Sequence, residues 1–222
     1  MTPTFAVRAV CFDLLSALID SWSLFETVAA NAGSAGRGQA WRVAALRRVT
    51  SSGEYRPYEE PLAEGAIEVG LAPELAGILM GRWDELRPWP EVLAMLARLG
   101  GLNLALATAT NCPDRLARMA AAAVGDPFDV VVSAERAGAY KPDPRPYRLA
   151  VAELGLPPDQ VLFVAGSAHD IGVALAVGMP VVWVNRLDVV APPEAAAAVI
   201  VKDLSALPDM IRSSSGGGSA PR

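Results

Sequence analysis

The chain has 222 residues, 52% of them hydrophobic and 19% charged, with 19 Lys and Arg against 24 Asp and Glu. That composition supports one α/β domain with an insertion or two small domains, and it excludes intrinsic disorder, which combines low hydropathy with high charge. The formal net charge of −5 comes with no basic run, because Arg37, Arg42, Arg47 and Arg48 are interspersed with apolar residues, so nucleic acid is not an expected partner.

In chain order, Val7–Phe12 (VRAVCF) reads as a buried strand: it is short, mostly β-branched or apolar, and ends at Asp13. From Asp20 to about Arg87 the pattern becomes helical, with Trp22, Phe25, Val28 and Ala29 on one face and Trp41, Ala44, Ala45 and Arg48 continuing the spacing. Breaks at Ala32–Gly38, Ser51–Pro61 and Gly70–Pro73 divide this stretch into about four helices, a cap over residues 20–87. The segment Arg87-Pro88-Trp89-Pro90 cannot continue a helix, since each proline restricts itself and its predecessor, and it reads as a hinge.

Four more strands are predicted at Leu102–Ala107, Phe128–Val132, Val161–Ala165 and Pro180–Val184, alternating with helical segments such as Pro113–Val124 and Pro144–Leu154. Unbroken apolar strands alternating with helices imply a doubly wound parallel sheet covered on both faces. The core then comprises residues 1–19 and 88–212, and 213–222 (SSSGGGSAPR) is expected to be a disordered tail. No apolar run approaches the ~20 residues that cross a bilayer, and no secretory leader is evident, so a cytoplasmic protein without membrane association is expected. Cys11 and Cys112 fall near strand ends and read as buried, reduced thiols. One histidine and two cysteines offer no zinc-site spacing, and no metal or other cofactor is expected.

Ligands of an open parallel sheet bind beyond the carboxyl ends of its strands. Asp13 closes the first strand, Thr108 with Thr110 and Asn111 the second, Lys141 follows the third, and Ser167 with Asp170 the fourth. Singly, such an Asp is most often a cap and a Lys-Pro-Asp-Pro most often a turn; their joint placement makes the set functional. A carboxylate can attack an electrophilic carbon and form an ester, which is the role assigned to Asp13. Lys141 holds that carboxylate ionised, Asp170 orients or deprotonates the water that opens the ester, and Thr108 bonds the nucleophile or a substrate carboxylate.

These residues carry a resemblance. Phe12-Asp13-Leu14-Leu15-Ser16-Ala17-Leu18, the strand ending at Thr108, Tyr140-Lys141-Pro142-Asp143 with Tyr147, and Leu162-Phe163-Val164 through Asp170 to Trp183-Val184-Asn185-Arg186 resemble the four motifs of the haloacid dehalogenase superfamily. Among its branches the L-2-haloacid dehalogenases are most similar. The resemblance implies a Rossmann-like core with a helical cap inserted after the first motif, and hydrolysis of a small carboxylic acid, by default a 2-haloacid, at its saturated carbon through an aspartyl ester. It also implies that Arg42, in Trp41-Arg42 followed by Leu46, binds the leaving halide or the substrate carboxylate. Tyr147 is placed to support the nucleophile or the lysine. Homodimerisation is implied by the resemblance alone.

Leu15 separates the branches, since the superfamily's phosphatases place a second aspartate there as acid for the leaving alcohol. An apolar residue fits expulsion of a leaving group that needs neither proton nor metal. Departures occur at Ala17, Ala109 and Ala165, with Ser167 where an asparagine is usual; Thr110 competes with Thr108 as the second-motif hydroxyl, and Asn111 can replace the lost amide. His169 beside Asp170 either modulates that carboxylate or covers the site. The competing functions are the same chemistry with a non-halide leaving group, as in opening a strained ring amino acid, a magnesium phosphatase, and a non-catalytic binding member of the fold.

Overall fold

Ala9–Phe12 (β2) is wholly buried and sits mid-sheet. Its side chains alternate between two separate cores, Val10 and Phe12 on one face, Ala9 and Cys11 on the other, as strands covered on both sides must. The computed structural model describes residues 4–213. Around β2 a six-stranded parallel sheet has the order β4-β3-β2-β5-β6-β7, built from Ala105–Thr110 (β3), Val130–Ser133 (β4), Val161–Ala165 (β5), Val181–Val184 (β6) and Val199–Val201 (β7). A separate pair joins Phe5–Val7 (β1) to Ile211–Ser213 (β8).

The helices are Ser21–Asn31 (α1), Gly38–Ser52 (α2), Glu59–Glu68 (α3), Leu75–Gly81 (α4), Val92–Gly100 (α5), Asp114–Ala123 (α6), Ala134–Ala137 (α7), Pro144–Leu154 (α8) and Ile171–Val177 (α9). Met95 of α5 and Leu116 of α6 pack into one core, whereas Tyr147 of α8 and Ile171 of α9 pack into the other. The result is the Rossmann-like α/β fold with a helical cap expected from sequence. No helix among the described residues is long and apolar enough to cross a membrane.

Helices α1 to α4 follow β2 without an intervening strand. Glycines permit their close packing: a Cβ on Gly65 of α3 would stand 2.6 Å from the Ala45 nitrogen of α2, and one on Gly38 2.3 Å from the Glu26 Cα of α1. Trp41 donates its indole N–H to the Leu62 carbonyl at 2.8 Å, and Trp83 ties the segment after α4 to α6 by donating to the Leu116 carbonyl at 3.0 Å. The strands of chain entering and leaving this helical insertion lie antiparallel. Asp20 N–H donates to Arg87 C=O at 2.9 Å and Trp89 N–H to Leu18 C=O at 3.0 Å, on either side of an Ile19–Pro88 bridge. Pro88 and Pro90 lack N–H groups, so the alternation leaves the pairing to Arg87 and Trp89.

Sequence and structure differ at four points. The first predicted strand is broken at Arg8, whose N–H goes to Gln160 C=O, into β1 and β2. Strand β3 begins three residues later than expected, because Asn103 takes a left-handed conformation (φ 52°) in a turn after α5. Strands β7 and β8 were not anticipated; each has three residues, too few for a periodic signal. Ser213, assigned to the tail, closes β8, and the remainder of that tail lies outside the described residues.

Candidate active site

The strand order reverses around β2, with β3 on one side and β5 on the other, and this reversal opens a crevice at the strands' carboxyl ends. Asp13 follows β2 immediately, its N–H anchored on Val164 C=O of β5 at 2.9 Å. Its Oδ2 accepts from Ser16 N–H at 3.2 Å, capping a wide turn over Leu14–Leu18 that closes with Ile19 N–H on Leu14 C=O at 3.1 Å. The wide turn leads the chain into α1.

Lys141 lies between two carboxylates. Its Nζ donates to Asp13 Oδ1 at 2.8 Å and to Asp170 Oδ2 at 3.1 Å, and all three side chains are buried. Burial alone would depress the lysine's pKa, but the charges of Asp13 and then Asp170 outweigh it and hold the ammonium above its ordinary range. For Asp170 burial dominates and raises the carboxyl, against the lowering effect of Lys141. Tyr147 donates its hydroxyl to Asp170 Oδ1 at 2.6 Å, so both oxygens of that carboxylate are held.

Asn111, the residue after β3, uses its side-chain amide on the backbone of Lys141: Oδ1 accepts from Lys141 N–H at 2.6 Å and Nδ2 donates to Lys141 C=O at 3.0 Å. It therefore positions the lysine while also lining the cavity. From the cap, α2 delivers Arg42, which is 5% exposed. Its partners are the Ser21 hydroxyl at 3.3 Å, the Ser16 hydroxyl at 3.4 Å and the rings of Trp22 and Phe25, with Cζ 5.2 and 5.5 Å from their centroids. A buried guanidinium met only by hydroxyls and aromatic faces is favourable when an anion joins it.

These groups face one small cavity of about 30 Å³, lined by Asp13, Leu15, Arg42, Tyr58, Lys141 and Asp170, with Ser16, Ser167 and His169 among its remaining walls. It thus brings together Asp13, Leu15, Arg42, Asn111, Lys141, Ser167 and Asp170. Thr108 and Tyr147 do not reach it. With β3 starting late, Thr108 falls mid-strand, level with Phe12, and its buried hydroxyl has no partner; Thr110 is the residue that ends the strand. Tyr147 is fully buried with its ring 5.0 Å from Phe163, and its contact is with Asp170 instead of a ligand, the nucleophile or the lysine. Among the cap aromatics, Trp41 is core, whereas Tyr58 forms a cavity wall.

Three contributors were missed. Ser21 bonds both Leu15 C=O at 2.7 Å and Arg42, without any sequence signal. Gly166 lies so close to Asp13 that an added Cβ would sit 2.6 Å from its Oδ2; a glycine directly after a core strand was the available hint. Arg186 stacks on Trp89, with Cζ 4.6 Å from the centroid, and donates to Ala17 C=O at 2.8 Å and Glu91 at 2.6 Å. Among the described residues no three His, Cys, Asp or Glu side chains are grouped to hold a metal ion. Cys11 and Cys112 are free and buried, and burial pushes both thiols up to about 12.

The family model of haloacid dehalogenase-like hydrolases matches residues 7–178. The chain is 32% identical over 195 residues to an (S)-2-haloacid dehalogenase of Xanthobacter autotrophicus, covering 82% of this chain and 76% of the relative. It is 30% identical over 195 residues to (S)-2-haloacid dehalogenase H-109 of Pseudomonas putida, covering 81% and 86%. Among solved structures, L-2-haloacid dehalogenase from Xanthobacter autotrophicus with chloropropionic acid covalently bound superposes with a TM-score of 0.76 at 26% identity, over 92% of this chain and 98% of that one.

Proposed function

The chain belongs to the haloacid dehalogenase-like hydrolases, and from that premise we propose that it hydrolyses the carbon–halogen bond of small 2-haloacids through an ester on Asp13. In the first step an Asp13 oxygen bonds to C2 while the C–halogen bond breaks and its electron pair leaves with the halide. In the second, water adds to the Asp13 carboxyl carbon and gives its proton to Asp170. The ester C–O bond then breaks as its oxygen takes that proton from Asp170, the hydroxy acid leaves, the second proton of water passes to solvent, and Asp13 retains one oxygen from water.

Lys141 holds Asp13 in place for attack, and Asn111 keeps Lys141 in place. Tyr147 orients Asp170. Arg42 receives an anion of the reaction, halide or carboxylate, and Ser167 borders the reacting groups. The second-motif hydroxyl is taken as Thr110, because Asn111 after it then supplies the amide that follows in the family. Residues 20–87 are taken as the cap and residues 1–19 with 88–212 as the core. The buried free thiols support a reducing, cytoplasmic setting; the homodimer implied by the family is checked by sedimentation velocity.

The observation that carries the reading is Lys141 Nζ between Asp13 and Asp170, 2.8 and 3.1 Å away, combined with Leu15, 4% exposed, on the cavity wall. A leucine has no proton for a leaving alkoxide, so it suits a leaving group that needs none. Asp13→Asn is expected to lower halide release from (S)-2-chloropropionate at least ~10⁴-fold, a nucleophile-scale loss, and a single turnover in oxygen-18 water is expected to label Asp13. Full activity in the variant, or product labelled while Asp13 is not, would refute the covalent route.

A further inference from the structure

The catalytic cavity is about 30 Å³, room for roughly two water positions. A second space of about 390 Å³ opens directly beside it, sharing Ser16, Leu46, Ser167 and His169 as common walls. That volume lies in the range of small-molecule sites. The walls of this groove are mainly apolar: Trp22 and Val43 from the cap, Trp183 from β6, and Leu187 and Val189 from the loop after it.

Most polar groups around the groove are engaged, although Arg186 Nε is buried without a partner. Asn185 Nδ2 donates to Val189 C=O at 2.8 Å and its Oδ1 accepts from Val189 N–H at 2.9 Å, which fixes the loop carrying Leu187. Arg186 is held by Glu91 and Ala17 C=O, and Arg47 pairs with Glu68. The groove therefore offers mainly hydrocarbon contact, with Arg47 and Arg186 each held on a carboxylate. Val43, Leu187 and Val189 are 47%, 53% and 52% exposed, so apolar surface here is available to be covered.

We propose that this groove receives the side chain on C2 of the substrate, so that the enzyme favours 2-haloacids bearing an apolar chain of about three to five carbons over the shortest members. The inference rests on the 2-haloacid reading of the site and specifies its substrate class. Carboxylate, C2 and halogen already take more room than the small cavity offers, so a chain on C2 extends into adjoining space, and the groove opens past Ser167 and His169.

The test measures halide release across (S)-2-chloropropionate, 2-chlorobutyrate and 2-chlorohexanoate. In the wild-type enzyme kcat/KM is expected to rise about two- to fourfold per added methylene, the scale of burying one CH₂. Val43→Trp, which fills the groove from a half-exposed position, is expected to cut kcat/KM for the hexanoate at least ~10-fold and leave the propionate within ~2-fold. If that variant fails to fold, Leu187→Asp at the exposed rim is expected to give the same selective loss. A flat or falling series, or variants that treat all acids alike, overturns this proposal alone. Absence of halide from every acid would instead refute the dehalogenase reading and this proposal with it.

Discussion

At the scale of single residues, the site is two carboxylates separated by one ammonium, and the contacts shift Lys141 and Asp170. Burial raises Asp170, so on acidification it binds a proton at higher pH than the ordinary ~3.9 of an aspartate. Once protonated it cannot accept the proton of water, and the acidic limb of kcat is expected above that range. Tyr147→Phe removes a hydrogen bond that favours the charged form. The limb should then move to still higher pH while kcat falls about 10-fold; a pH–rate profile checks this, and an unmoved limb would assign Tyr147 to packing alone. Lys141 has a folded pKa raised above its unfolded ~10.4, so its stabilising effect is fully present below that pH and is lost only as pH climbs through the folded value. Lys141→Ala leaves Asp13 and Asp170 facing each other without a cation, and a loss of about 3 kcal/mol is expected in urea unfolding at pH 7. Part of it should return at pH 5, where Asp170, raised by burial, takes up a proton more readily. Asp13, Lys141 and Asp170 were legible in sequence because each stands in the loop after a separate core strand. Thr108 was misplaced because a turn at Asn103 delays its strand, and the contact of Tyr147 was hidden because α8 and the β5 loop meet only in the fold.

At the scale of elements, strands with four or more buried residues and helices with a clear apolar face were readable, and β5 matches its predicted span of Val161–Ala165. The three-residue β7 and β8 were not, since their identity comes from pairing with β6 and β1 and not from their own composition. The loop after β5 packs directly on the wide turn after β2. A Cβ on Gly166 would meet Ala17 N at 2.4 Å and Asp13 Oδ2 at 2.6 Å, so even alanine must push Asp13 aside. Gly166→Ala is expected to reduce kcat about 100-fold, the cost of an ångström-scale misplacement, with the circular dichroism spectrum unchanged. A variant of normal activity would show that the two loops separate more easily than their packing implies. Sequence hinted at this glycine by position but carried no sign of what it approaches.

At the scale of the whole molecule, the cap supplies Arg42 and Tyr58 to a site whose reacting carboxylates belong to the core. Lys141 Nζ occupies the space between those carboxylates and places a positive charge there, and Leu15 provides no further acidic ligand. Halide release is accordingly expected to change less than ~2-fold after dialysis against a strong chelator, whereas a magnesium-dependent reaction would stop. The cap's helical nature was evident from periodicity, but its attachment was not, because the pairing of Ile19 with Pro88 joins residues far apart in sequence. That attachment has an evolutionary consequence. The chain leaves and re-enters the core through a single doorway, with Leu18–Asp20 and Arg87–Trp89 already bonded side by side. A recombination cutting at those two points would join ends that are neighbours in space, so a lineage can trade this lid as one cassette and change its diet while inheriting the reacting carboxylates intact.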